Sequence, residues 1–187
     1  PTRRSSDLRV GCQAAEQQLQ GRQPGEEVKG KNGERLVLDK SLSGQRAQVY
    51  IDEDNKKSYV THRGSSAHDL LTDAKLLVGI KSGARWDHAR DIEKAARDKY
   101  KGYQSTSLGH SLGSALAEKH SKADQLFTYN KPVALGDLNR RPKANQWDVK
   151  TSNDPISMFM GYQPRGDGKR TVIRSQTRNP LGEHSVG

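Results

Sequence analysis

Tyr103-Gln104-Ser105-Thr106-Ser107-Leu108-Gly109-His110-Ser111-Leu112-Gly113 places a serine between two glycines, after a strand-like run and before a helix-like one. Gly109, His110, Ser111, Leu112 and Gly113 match the pattern G-x-S-x-G. In its known context this pattern is a sharp strand-to-helix turn that lifts the serine above a sheet edge as a nucleophile. Side chains at the two glycine positions would collide as the strand folds back onto the helix. The bare pattern is a weak signal, and the context strengthens it: Tyr103–Leu108 reads as a strand and Leu112–Lys122 as a helix. Ser111 then sits at a helix N-terminus, where the dipole favours developing negative charge.

Outward from this turn the chain keeps alternating. Gln48–Asp52 and Ser58–Thr61 read as strands joined by a turn at Asp54-Asn55-Lys56-Lys57. Ser66-Ala67-His68-Asp69 caps a helix through about Ile80, whose Leu70, Leu71, Ala74, Leu77 and Val78 share one face. A second helix spans about Trp86–Tyr100, with Ala89, Ile92, Ala96 and Tyr100 on one face. Gln125–Tyr129, Gln146–Thr151 and Arg170–Ser175 read as strands. Strands alternating with helices imply an α/β fold: a compact, mostly parallel sheet with helices on both faces. Three segments are expected. Residues 1–8 form a tail in which Thr2–Leu8 resembles a translated sequencing-library adapter. Residues 9–45 form an N-terminal linker or peripheral segment, with linker texture at Gly21–Gly33 and an edge strand at Arg35–Asp39. Residues 46–187 form the folded domain.

The chain of 187 residues is 31% hydrophobic and 5% aromatic, with a mean hydropathy of −0.97. The core is lean, and no apolar run approaches the 18 or so residues of a membrane span. No apolar h-region stands near the N-terminus. The single cysteine, Cys12, excludes an internal disulfide and a cysteine-rich zinc module. A net charge of +10 and a pI near 9.8 favour an anionic partner, either nucleic acid or a phospholipid surface. The excess is spread along the chain, and its densest cluster is Arg140, Arg141 and Lys143. Nucleic acid is disfavoured, because no basic helix and no basic sheet with interleaved aromatics is present.

In the fold class of this serine turn, the acid and then the histidine follow the serine along the chain. Only His120 and His184 follow Ser111. His120 lies nine residues along the same helix, about 13 Å away along the axis, which leaves His184. Among the acids, Asp154 directly follows the strand Gln146–Thr151, at the edge where catalytic groups of open α/β sheets gather. Asp137 is the runner-up.

These residues resemble class 3 lipases, the triacylglycerol-lipase family within the α/β-hydrolases. The resemblance runs from about Tyr59 to His184. It is carried by Thr61-His62-Arg63-Gly64-Ser65 with Asp69 and Asp73, by Gly109-His110-Ser111-Leu112-Gly113, by Thr128-Tyr129-Asn130-Lys131-Pro132, by Asp154-Pro155-Ile156 and by His184. It implies an α/β-hydrolase fold and hydrolysis of carboxylic esters, with a lipid or small ester as substrate. It implies Ser111, Asp154 and His184 as a catalytic triad and no cofactor or metal. It also implies an oxyanion hole from Ser65 and the backbone N–H of Leu112. The ending Asn179–Ser185 is similar to small lipase-like proteins of DNA viruses and phages, which would place the chain in a cytoplasm or a virion. Two features depart from the family. Ser114 stands where a second glycine is usual, and neither a lid nor an apolar acyl-binding rim is evident.

Three functions are therefore carried forward. The first is a serine ester hydrolase, favoured by three triad candidates in the right order. The second is a structural or binding protein on the same scaffold. The third is a basic nucleic-acid-binding module. For the first, Arg140, Arg141 and Lys143 would hold the enzyme on an anionic membrane surface if they lie near the catalytic edge.

Overall fold

Glu27–Lys29 (β1) and Arg35–Leu38 (β2) pair antiparallel, as do β2 with Ala47–Asp52 (β3) and β3 with Lys57–His62 (β4). The computed structural model describes residues 27–29, 33–65, 83–164 and 166–174. The chain continues through a helix, Ala84–Lys99 (α1), to Gln104–His110 (β5), and through Leu112–His120 (α2) to Gln125–Tyr129 (β6). Gln146–Thr151 (β7) and Lys169–Ile173 (β8) complete the sheet. The eight strands lie in chain order, and β4 to β8 are all parallel.

The helices α1 and α2 lie on the same face. Ile92 and Ala96 of α1 pack on Val49, Ile51 and Val60, while Trp86 and Ala89 meet Leu112 and Leu116 of α2. The other face carries Tyr50, Tyr59, Leu108 and Phe127, all buried. Side chains alternate across a strand, so Tyr59 and Val60 point opposite ways. Right-handed crossovers between strands that step in one direction pass over one side of the sheet. Strand order thus explains why the two described helices share one face. The helix expected at Ser66–Ile80 lies outside the described residues.

Glu27–Lys29 falls inside the stretch read as linker, yet it forms the outer strand. Val28 and Leu36 face each other across the pair, and both are buried. The strand expected at the edge, β2, is therefore one in from it. The helix α1 begins two residues earlier than its apolar pattern suggests. Gly83, at φ 110°, turns the chain there, and its carbonyl accepts the N–H groups of Trp86 and Asp87. Among the described residues no helix is long and apolar enough to cross a membrane.

Beneath α2 the sheet holds a buried charged cluster. Lys131 Nζ lies 2.5 Å from Glu118 Oε2 and 3.4 Å from Asp148 Oδ2. Gln146 donates to both carboxylates, Thr128 donates to Asp148, and Arg140 Nε lies 3.2 Å from the other oxygen of Glu118. Two cations thus face two carboxylates, as burial of charge demands. This cluster ties β6 and β7 to α2, the elements that flank the candidate site.

Candidate active site

Ser111 caps α2 with φ 55° and ψ −128°. That conformation favours glycine, and holding a side chain in it costs about 1–3 kcal/mol. The surroundings enforce it. Ser111 N–H donates to Tyr129 O of the neighbouring strand at 2.9 Å. A Cβ on Gly109 would lie 2.3 Å from the backbone of Gly113, and one on Gly113 would lie 2.0 Å from His62 O. Both flanking glycines are therefore required, Gly109 by the helix that follows the turn and Gly113 by the end of the neighbouring strand β4.

Ser114, the departure from the family pattern, fastens the turn. Its buried Oγ donates to Gly109 O at 2.6 Å and accepts from Tyr129 N–H at 3.0 Å. Ser114→Gly should lower stability by about 1–3 kcal/mol, because both bonds of the hydroxyl are lost. Urea melts of the two proteins check this, and equal midpoints would show that water replaces the hydroxyl.

The segment before Ser65 presses on the serine turn. A Cβ on Gly64 would stand 2.7 Å from His110 O and 2.9 Å from Ser111 Cβ. Ser65 Oγ accepts a hydrogen bond from Arg85 Nη1 at 2.8 Å, and Arg85 Nη2 donates to Arg63 O. Leu112 opens α2, where the first N–H groups have no intrahelical acceptor. The end of β4 is held from the α1 side. Buried His62 Nε2 donates to Glu93 Oε1 at 2.8 Å, and Ser107 Oγ donates to the other oxygen of Glu93.

Asp154 follows β7 and is 2% exposed. Its carboxylate accepts the backbone N–H groups of Ile156 at 3.2 Å and Ser157 at 3.0 Å, which fixes its orientation. The strands leading to Ser111 and Asp154, β5 and β7, are separated by β6 alone, a span of about 10 Å at ordinary strand spacing. Both residues leave the same edge of the sheet. The runner-up, Asp137, sits in a 3₁₀ turn beside Arg140, at 3.9 Å. The histidine candidate, His184, lies outside the described residues. The other later histidine, His120, is at the far end of α2 against Trp86, where burial, with Lys119 nearby, lowers its pKa.

The basic cluster is at that far end too. Lys143 Nζ donates to the carbonyls of Glu118 and Ser121 at the C-terminus of α2, and Arg140 pairs with Glu118. Two of the three cations thus serve the helix end, about 13 Å along the axis from Ser111, rather than the edge that carries Ser111 and Asp154. A cavity of about 210 Å³ opens toward the opposite strand ends, lined by Ser58, Tyr100, Ser105 and Asp124 among others; it includes Glu93 and Ser107 but none of Ser65, Ser111, Leu112 and Asp154. Sequence reasoning missed Arg85. A lone arginine just after Gly83 carries no pattern that would have singled it out.

No protein-family model and no curated protein matches the chain. Solved structures are similar to it. Lip2 lipase from Yarrowia lipolytica is 16% identical, with a TM-score of 0.59, over 90% of this chain and 80% of that one. A mutant of MDLA from Penicillium cyclopium is 18% identical, with a TM-score of 0.57, over 96% and 83%. Mono- and diacylglycerol lipase from Aspergillus oryzae is 21% identical, with a TM-score of 0.51, over 84% and 74%. At these identities the likeness is one of fold, and the chain has the α/β-hydrolase fold of these lipases.

Proposed function

We propose that the chain is a serine hydrolase of carboxylic esters, with lipid esters as its substrate class. The observation that carries this reading is the strained backbone of Ser111 at a strand-to-helix junction whose flanking glycines admit no side chain. Strain of this kind is kept where it serves a site. His184 takes the proton of Ser111, and Asp154 orients and stabilises the resulting imidazolium. Ser111 Oγ attacks the ester carbonyl. Leu112 N–H and the Ser65 hydroxyl hold the oxygen of the tetrahedral intermediate. His184 then protonates the leaving alcohol, and water resolves the acyl-enzyme by the same steps in reverse. Lipid esters are favoured by the lipases among the solved structures with this fold.

The test is covalent labelling with a fluorescent fluorophosphonate. The folded wild type should label, and Ser111→Ala should not. A folded wild type that stays unlabelled overturns the enzyme reading and leaves a binding protein on a hydrolase scaffold. Ser65→Ala should lower kcat by about 10²–10³-fold with the fold intact, the usual loss when one oxyanion donor is removed. Steady-state turnover of a soluble ester reads it, and activity within twofold of wild type would show Ser65 to be a turn residue only.

A further inference from the structure

We propose that Arg85 is a positioning residue of the oxyanion hole, holding the oxygen of Ser65 as an acceptor so that the hydroxyl hydrogen points to the reacting carbonyl. This rests on the hydrolase reading above and assigns a function to a residue outside the triad and its donors.

A serine hydroxyl has one hydrogen and two lone pairs, and the hydrogen rotates to suit its surroundings. Arg85 Nη1–H occupies one lone-pair direction of Ser65 Oγ at 2.8 Å. The hydroxyl hydrogen is then turned away from the guanidinium and is left for another acceptor. The second arm of the fork reaches Arg63 O. The two bonds bracket Gly64, the residue on which a Cβ would stand 2.9 Å from Ser111 Cβ. The planar fork therefore sets both the rotamer of Ser65 and the approach of its loop to the nucleophile, which a flexible lysine cannot do.

The same element fixes the other donor. Arg85 lies in the first turn of α1. Its neighbour Trp86, with Ala89, packs on Leu112 and Leu116 of α2. Leu112 supplies the backbone N–H of the hole, so one packed pair of helices holds both donors at a fixed separation.

Among the described residues Arg85 makes no ion pair and is partly buried. Its hydrogen-bond acceptors are the two neutral oxygens, and its buried Nε has no acceptor among the described residues. Burial, together with Arg46 and Arg63 nearby, lowers its pKa, but a guanidinium remains charged in proteins. A cation one hydrogen bond behind the oxyanion donor strengthens that donor as negative charge develops on the substrate.

A double-mutant cycle with Ser65→Ala and Arg85→Met tests this, using a short-chain p-nitrophenyl ester in solution. Labelling by the fluorophosphonate and turnover by the wild type come first. If both are absent the hydrolase reading fails and this role fails with it. With an active wild type, Arg85→Met should lower kcat by about tenfold at unchanged KM, a part of the loss on removing the donor itself. In the Ser65→Ala background it should change kcat by less than about twofold, because the group it acts through is gone. An equal loss in both backgrounds, a change in KM alone, or no loss at all overturns the role while leaving the hydrolase reading standing. If Arg85→Met does not fold, Arg85→Lys is used with the same criterion, since one ammonium cannot span both acceptors.

Discussion

Replacing Ser111 by alanine is expected to lower kcat by about 10⁶-fold, to the background that binding and the oxyanion hole alone supply. KM should change little, since the hydroxyl is small and its work is done in the transition state. The variant should be as stable as wild type, because alanine keeps a Cβ at the same φ of 55°. Ser111→Gly should be equally inactive but more stable. Removing the Cβ relieves about 1–3 kcal/mol of backbone strain, against about 0.5–1 kcal/mol of extra chain entropy lost by glycine on folding. A net gain of about 1 kcal/mol over Ser111→Ala is the expected result in urea melts. Turnover within tenfold of wild type in either variant would remove Ser111 as nucleophile. A glycine variant less stable than the alanine one would show that the turn is unstrained.

The serine turn was legible because sterics write it into sequence. Gly109 and Gly113 stand where a Cβ would meet backbone at 2.3 and 2.0 Å, so the pattern reports a collision rather than a preference. The strands β3 to β7 were legible as strand-like runs between turns, and with β7 the place of Asp154 just after its end. Other features depend on partners distant in the chain. Three residues, Glu27–Lys29, become a strand only because Val28 meets Leu36 across the pair. The common face of the two described helices follows from strand order, which local patterns do not encode. Arg140 and Lys143, considered as a membrane-surface cluster, and Lys131, which carried only a family resemblance, instead serve the end and the underside of α2. One signal for this was present: Ser114, Glu118 and Ser121 recur at helical spacing, and all three are buried. A polar stripe on the sheet side of a helix requires polar partners from the sheet.

Lys131→Met is expected to cost about 3–5 kcal/mol at pH 7, the usual loss when a buried ion pair is broken from one side. The side chains of Lys131, Glu118 and Asp148 are 3%, 8% and 0% exposed. Without the ammonium, two buried carboxylates keep one cation, Arg140, which reaches only Glu118. The sign of the pH dependence follows from Glu118. Burial pushes its pKa up, but Lys131, Arg140 and Gln146 outweigh burial and hold it below its ordinary 4.5. A carboxyl with a depressed folded pKa contributes stability above its unfolded pKa and loses it as pH falls through the folded value. Wild type should therefore weaken as pH drops below about 4.5. In Lys131→Met, burial dominates instead, the pKa of Glu118 rises, and protonation relieves the variant. The stability gap should then narrow between pH 7 and pH 4, and adding Glu118→Gln should recover part of the loss at pH 7. Guanidinium melts at the two pH values measure this, and a gap that stays constant would place the cost in lost packing of the lysine stem. The cluster joins α2, which Ser111 caps, to β6 and to β7, the strand that leads to Asp154. On the proposed hydrolase function, the fraction of variant that remains folded should lose kcat as well as stability, because the strand that leads to Asp154 is no longer tied to the helix that Ser111 caps.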